Sequence, residues 1–413
     1  MSVDQAFSLA RTRYAALGID AEAAVQAVLD IPISLHCWQG DDVSGHLFRD
    51  QALSGGIMAT GSYPGRAQNA VQLRADLDMA LSLIPGRHKL NLHAIYADTE
   101  EKVDLDGLTP RHFERWVEWA APRGMGLDFN PTCFSHPMAA SGLTISHADP
   151  SVADFWVRHC QVCRVIAMDL ARQTGQTCVL NLWFPDGMKD TPADIAAPRA
   201  RMAAALDRVF QSGTLPGVVE TLESKVFGIG SESYVVGSNE FCLGYAATRN
   251  RGVCLDTGHF HPTESVADKI PTVLLYVPSL LLHLSRPVRW DSDHVVTLDD
   301  TVTSIAHTLV RTNTLAKTHI GLDYFDASIN RVAAWVIGAR NARLALLQAL
   351  LEPVAAIQQA ENAGDYTARL AITEQAKTLP WSAVWDYACA QAGVPTDWLD
   401  TVRAYERDIL KVR

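Results

Sequence analysis

Glu223, Asp256, His259, His283, Asp291, Asp293 and Asp323 recur at the ends of successive apolar runs in this chain. Carboxylates and imidazoles bind divalent cations through three or four O and N donors per ion, and such donors converge only where several strands end at one place. The set predicts two ion sites, suited either to hydrolysis by an activated water or to polarisation of a carbonyl beside a hydroxyl. Any one of these residues alone reads as a structural polar group. For the set that reading fails, because buried carboxylates and imidazoles without a cation would leave uncompensated charge costing several kcal/mol each.

The elements that must position them are short runs rich in aliphatic and β-branched residues: 31–37, 89–97, 126–133, 178–184, 217–225, 253–259, 280–288 and 319–325. Stretches of helical period separate most of them. Near-continuous apolar runs suit strands buried on both faces of a parallel sheet with helical crossovers. Repetition of the unit eight times predicts an α/β fold, a closed (β/α)8 TIM barrel, with short N-terminal helices and a C-terminal helical extension. In that fold chemistry sits at the carboxyl ends of the strands, where His36, His93, Asn130, Trp183, Glu223, Lys225, Asp256, His283 and Asp323 fall.

Strand position divides the ligands. Glu223, Asp256, His283 and Asp323 come one each from strands five to eight and predict a closed four-ligand site on rigid elements. His259, Asp291 and Asp293 lie farther out and predict a three-ligand site with positions left for water or substrate. His261 and His294 compete for ligand roles, but read as supporting groups or satisfied loop histidines. Period-two alternation aims Glu223 and Lys225 at the same side of strand five. A lysine so near a cation is either paired with a carboxylate or placed to hydrogen-bond a substrate oxygen; the second is favoured.

The remaining sequence narrows the partner. The 46 acidic and 35 basic residues give a formal charge of −11, no footprint for nucleic acid or an anionic membrane. The amino terminus has neither a basic region nor an apolar one, so a secretory signal is not expected. The most apolar stretch, Thr272–Leu284, is broken by Pro278 and His283 and falls short of the roughly 20 residues of a membrane span. Eight scattered cysteines read as reduced core residues, including Cys160 and Cys163, whose C-x-x-C lies in a helical stretch. A cytoplasmic enzyme acting on a small neutral molecule is expected.

Three regions follow. Residues 1–28 read as two short helices divided at Gly18-Ile19-Asp20, with Phe7, Leu9, Ala10 and Tyr14 as the apolar stripe. The barrel occupies 29–335. Residues 336–413 are helical, in segments ending near Pro353, Thr378, Gly393 and Lys411, and suit burial against another subunit or against their own barrel. One glycine-rich segment, 54–65, carries Ile57, Met58 and Tyr63, which need an apolar partner in their own site or a neighbour's.

The runs His36-Cys-Trp-Gln-Gly-Asp-Asp-Val43, Asn91-Leu-His-Ala-Ile-Tyr96, Phe134-Ser-His-Pro137, Gly258-His-Phe-His-Pro-Thr-Glu264, Arg286-Pro-Val-Arg-Trp-Asp-Ser-Asp-His-Val295 and Gly321-Leu-Asp-Tyr-Phe-Asp-Ala-Ser-Ile-Asn330 resemble those of bacterial L-rhamnose isomerases, and the similarity spans essentially the whole chain. The resemblance implies a cytoplasmic homotetramer that interconverts L-rhamnose and L-rhamnulose, with Mn2+ as the catalytic ion and Zn2+ or Mn2+ as the second. It implies Glu223, Asp256, His283 and Asp323 as ligands of the structural ion and His259, Asp291 and Asp293 as ligands of the catalytic one. It also implies His93, Trp183, Lys225 and Phe325 as sugar-pocket residues, with Lys225 at the carbonyl-end oxygens and Lys225 and Asp323 as the catalytic groups. Two departures stand out: Met58 replaces a glutamine and Tyr324 a phenylalanine.

Isomerisation moves a hydrogen between C1 and C2 and a proton between their oxygens. Hydride transfer is expected over an enediol route, because the family looks like xylose isomerase. The main rival is a sugar-phosphate isomerase using Arg286 and Arg289 to hold phosphate. A two-metal hydrolase or endonuclease would want a basic groove, and a non-catalytic sugar-binding protein would not need an open metal site.

Overall fold

A computed structural model describes residues 1–48, 53–54, 57–226 and 232–413. Eight strands form the barrel: β1 Ile33–His36, β2 His88–His93, β3 Gly126–Asn130, β4 Cys178–Trp183, β5 Val218–Glu223, β6 Gly252–Asp256, β7 Leu280–Leu284 and β8 Thr318–Leu322. Each pairs in parallel with its sequence neighbours, and β8 closes on β1 with Ile33 opposite Ile320. The eightfold α/β architecture read from the apolar runs is the one observed.

Most strands are shorter than their apolar runs, and the reason bears on function. β1 to β6 stop at His36, His93, Asn130, Trp183, Glu223 and Asp256, so each final strand residue is polar or carries a polar atom. Beyond them the chain turns out of the ladder, as in the single-turn helices Cys37–Gln39 and Ala94–Tyr96. Apolar content alone does not separate a strand from the buried turn that follows it.

The opposite end of the barrel is closed by paired charge. Asp128 takes the Lys89 ammonium, the Ser34 hydroxyl at 2.7 Å and the Val179 N–H at 2.7 Å. Glu220 lies between Arg164 and Arg251. Buried Arg343 donates to the carbonyls of Val28, Ile31 and Arg87, tying the last barrel helix to the entries of β1 and β2. A buried charge is tolerable only when partnered in this way.

Helices Val3–Ala15 and Ala21–Asp30 occupy the two predicted N-terminal positions. Ser2 and Gln5 form a capping box on the first, and Asp20 caps the second, satisfying N–H groups that helix starts leave unpaired. Phe7, Ala10 and Tyr14 are buried, but Leu9 is 61% exposed and leaves the predicted stripe. Phe7 stacks on Tyr387 at 3.8 Å, so this helix packs against the extension. Helix Arg331–Leu350 runs unbroken through residue 335, where the sequence reading divided barrel from extension. Four helices follow: Val354–Asn362, Tyr366–Ala376, Trp381–Gln391 and Leu399–Asp408. Among the described residues no helix is long and apolar enough to cross a membrane.

Candidate metal centre

Glu223 ends β5, Asp256 ends β6, His283 is the penultimate residue of β7 and Asp323 follows β8 directly. Register aligns them: Asp256 stands opposite His283, and His283 opposite Gly321, two residues before Asp323. The Asp323 N–H donates to the Leu284 carbonyl at 3.0 Å, which continues the ladder far enough to fix that carboxylate. His283 Nδ1 lies 3.1 Å from Asp323 Oδ2 and 3.3 Å from Glu223 Oε2. One ligand atom from each of Glu223, Asp256, His283 and Asp323 falls within 4.8 Å of all the others.

A second convergence shares Asp256. Ligand atoms of Asp256, His259 and Asp291 also lie within 4.8 Å of one another, and His259 Nε2 is 3.2 Å from Asp291 Oδ2. Gly258 makes this approach feasible: a Cβ there would sit 2.1 Å from Asp291 Oδ1, while its N–H donates to Asp256 Oδ1 at 2.6 Å. Only glycine lets the β6 turn and the Asp291 loop meet so closely.

Electrostatics explain why these groups want a cation. Burial, reinforced by Asp291, Glu223 and Asp323 and opposed by His259, pushes the Asp256 carboxyl well above its usual range. Burial and the same crowd of carboxylates do this to Asp293. Burial disfavours charge on His259, but Asp256, Asp291 and Glu223 outweigh it and raise the imidazole well above normal. His283 behaves alike: burial disfavours its charge, and the Glu223 and Asp323 carboxylates outweigh it. For Asp323 burial is outweighed by His283, His36 and the Trp38 N–H, which draw it to about 2. Protons and imidazolium charge thus hold carboxylates together where a divalent ion could do so.

The other expected residues distribute as follows. His93, Trp183, Asp293 and Phe325 line the cavity that also exposes Glu223, His259, His283, Asp291 and Asp323. Asp293 reaches the cavity from a left-handed backbone, φ 46°, outside the 4.8 Å convergence in which Asp256 stands beside His259 and Asp291. Lys225 is absent from that lining and borders a neighbouring cavity with Pro185 and Glu232, where it is ion-paired with the Glu232 carboxylate, the alternative that the sequence did not favour. The strand ends at Glu223, so the alternation that aimed both side chains at one mouth does not extend to residue 225. His261 Nδ1 bonds Thr263 Oγ1 at 2.8 Å and His294 Nδ1 bonds Ser292 Oγ at 2.9 Å, so neither joins a ligand set. Arg286 donates to the Val295 carbonyl. Of the glycine-rich loop, Ile57 lines the cavity, Met58 is 71% exposed and Tyr63 donates to Glu406; Gly55 and Gly56 lie outside the described residues. Tyr324 is fully buried, and its hydroxyl donates to the Ala334 carbonyl at 2.8 Å.

Sequence reasoning passed over several supports. Trp38 Nε1 donates to Asp323 Oδ1 at 2.9 Å, Asn181 Nδ2 donates to Glu223, and Cys254 brings its sulfur beside Glu223 and His283. Burial and Glu223 push the Cys254 thiol well above its usual range, which keeps it a neutral neighbour. Trp38 and Asn181 sit among ordinary core residues, with no spacing to single them out.

The donor sets fit divalent ions. The first offers three carboxylates and an imidazole, the second two carboxylates and an imidazole, as Mn2+ and Zn2+ accept. His259 Nδ1, His283 Nε2 and Asp291 Oδ1 are buried and make no hydrogen bond, although His259 Nδ1 is 3.5 Å from Glu223 Oε1. A bound ion would give these clustered atoms the partner they lack.

The chain is similar along its length to known proteins. It is 56% identical over 415 residues to the L-rhamnose isomerase of Yersinia pseudotuberculosis serotype IB (strain PB1/+), covering 100% of this chain and 99% of that protein. The L-rhamnose isomerase of Yersinia pestis matches to the same extent, 56% over 415 residues. Among solved structures, an L-ribulose 3-epimerase superposes with a TM-score of 0.50 at 17% identity, covering 80% of this chain and 97% of that one, a likeness of fold. The family model for L-rhamnose isomerase matches residues 1–413, and the chain belongs to that family.

Proposed function

We propose that this enzyme interconverts L-rhamnose and L-rhamnulose at the carboxyl end of its barrel, with Mn2+ at the Asp256, His259, Asp291 and Asp293 side and Zn2+ or Mn2+ among Glu223, Asp256, His283 and Asp323. The observation that carries this reading is the pair of ligand sets that share Asp256 and whose other members line one aromatic-walled cavity, in a chain so similar to L-rhamnose isomerases. A cation held by these residues would supply Lewis acidity to the reacting carbonyl.

The protein's own groups supply the rest. Trp38, Phe134, Trp183 and Phe325 give apolar faces for the C–H surfaces of a sugar and keep the reacting carbons out of bulk water. Burial pushes His93 down to about 4 despite Asp323, so its ring is neutral at physiological pH and hydrogen-bonds to hydroxyls without adding charge. Thr132 Oγ1, 3.3 Å from His93 Nδ1, holds the ring from behind. Asp323, drawn to about 2, remains a carboxylate throughout the working range and can accept a sugar proton's hydrogen bond. Lys225 stands behind Trp183 rather than in the cavity lining, and its assignment to the carbonyl-end oxygens is carried by the family resemblance. Water exclusion favours direct hydride transfer from C2 to C1 over exchange through an enediol. A cytoplasmic homotetramer, built in part through the C-terminal helices, completes the reading.

The test is to strip the protein with chelator, restore Mn, Zn, Mg or Co singly and in pairs, and assay L-rhamnose beside other aldoses. Isomerase activity restored most fully by Mn is expected; inactivity with every metal sinks the reading. With L-rhamnose deuterated at C2, retention of label in the ketose is expected, and washout into water counts against the hydride route.

A further inference from the structure

The Lys225 ammonium is nearly buried, 3% exposed, and three groups surround it. It donates to the Pro185 carbonyl at 2.8 Å, forms an ion pair with Glu232 and stands 5.9 Å from the centroid of the Trp183 ring. Glu232 is itself only 9% exposed, and Lys225 is its ion-pair partner. Of the ammonium's three donors Pro185 takes one, and Glu232 balances the charge as an ion pair.

The surrounding chain is built to hold this arrangement. Residues 185–187 leave β4 in a fixed path: Asp186, fully buried, accepts the N–H and hydroxyl of both Thr144 and Ser146. The Val236 N–H donates to the Asp186 carbonyl, and Gly187–Met188 pairs antiparallel with Tyr234–Val235. Gly187 lets Glu232 pass: a Cβ there would stand 3.0 Å from Glu232 Cγ and 2.7 Å from the Tyr234 carbonyl oxygen. A two-stranded clamp therefore delivers one buried carboxylate to one buried ammonium, next to the indole that walls the metal-ligand cavity.

We propose that Glu232 is a positioning residue for the isomerisation: its ion pair holds the Lys225 ammonium against Trp183, the ring that walls the metal-ligand cavity, and so sets where that ammonium stands relative to the sugar. The inference rests on the assignment of Lys225 to the substrate. A buried ammonium without its carboxylate would swing toward other acceptors, and misplacement by an ångström at a reacting group costs up to roughly a hundredfold in rate.

The test is a double-mutant cycle on the metal-loaded enzyme, with Glu232→Gln, Lys225→Gln and the pair. Kinetics with L-rhamnose are measured beside calorimetric binding of its unreactive alditol. Glu232→Gln is expected to lower kcat/KM by about tenfold to a hundredfold and to weaken alditol binding, with metal content and Tm near wild type. Glu232→Asp, which keeps the charge, recovers part of the loss. The double variant is no worse than Lys225→Gln alone, because Glu232 acts through Lys225. Wild-type kinetics in Glu232→Gln beside an impaired Lys225→Gln overturn the proposal, as do independent losses that multiply in the double variant. An unimpaired Lys225→Gln overturns instead the assignment of Lys225 on which it rests. Should Glu232→Gln fail to fold, Glu232→Asp decides: unchanged kcat, KM and alditol affinity despite the shortened side chain overturn the proposal.

Discussion

His283 Nδ1 stands 3.1 Å from Asp323 Oδ2, joining the ends of adjacent strands β7 and β8 through one imidazole. The His283 side chain is buried and that of Asp323 only partly exposed at the barrel mouth, so their pairing is part of the fold as well as of the site. An ion bound there crosslinks four strands, and its binding free energy adds to stability. Chelation is expected to lower Tm, and metal at about 100 times its Kd to restore about 2.7 kcal/mol. His283→Ala should unfold earlier than wild type and respond weakly to added metal, as followed by calorimetry. Equal Tm with and without metal would refute a structural ion.

The second ligand set has a different expected signature. Asp291 and His259 come from loops beyond the strands, so Asp291→Asn should cost isomerase activity about a hundredfold or more while Tm stays within a few degrees. Steady-state kinetics beside thermal melts separate the two sites.

Metal binding at this centre should release protons. The carboxyl of Asp256 and the imidazoles of His259 and His283 are all raised well above their usual ranges in the metal-free protein. Groups so raised hold protons at neutral pH, and an ion must displace them; apparent affinity therefore falls as pH falls and rises as pH rises. Titrating metal into weakly buffered apo-protein should release at least about one proton per ion, read by a pH indicator.

Gly258→Ala places a methyl group 2.1 Å from Asp291 Oδ1, closer than the two atoms can approach. The aspartate must move, so the variant should lose much of its affinity for the catalytic ion and drop about tenfold or more in activity. The closed site should keep its metal, which elemental analysis after dialysis can resolve.

Asp41 offers a pH test away from the metals. Burial raises it from 3.8 to about 7, against the Tyr96 hydroxyl and the Gly45 N–H that favour the carboxylate. The folded protein then binds the extra proton between those two values, so this residue's contribution to stability falls as pH rises through that window. Asp41→Asn should match wild type near pH 4 and exceed it above pH 7. Denaturant melts across the range check the sign.

The sequence by itself determined the barrel and most of the carboxylates and imidazoles that converge at its mouth. Apolar runs alternating with helical stretches leave one economical closed sheet, and a polar residue at a strand's end has one mouth to face. Glu223, Asp256, His283 and Asp323 could be grouped for that reason. Tertiary structure decided what lies past those ends. Period-two alternation stops with the ladder, which is why Lys225 turned toward Glu232 and a neighbouring cavity. Turn geometry at Gly258 brought Asp256 to His259 and Asp291, with Asp293 at the cavity wall. Trp38 reaches Asp323 across 285 residues of sequence, and its role depends on barrel closure between β1 and β8. Local periodicity encodes which face a residue takes within an element; contacts between loops depend on where the closed sheet brings distant chain segments together.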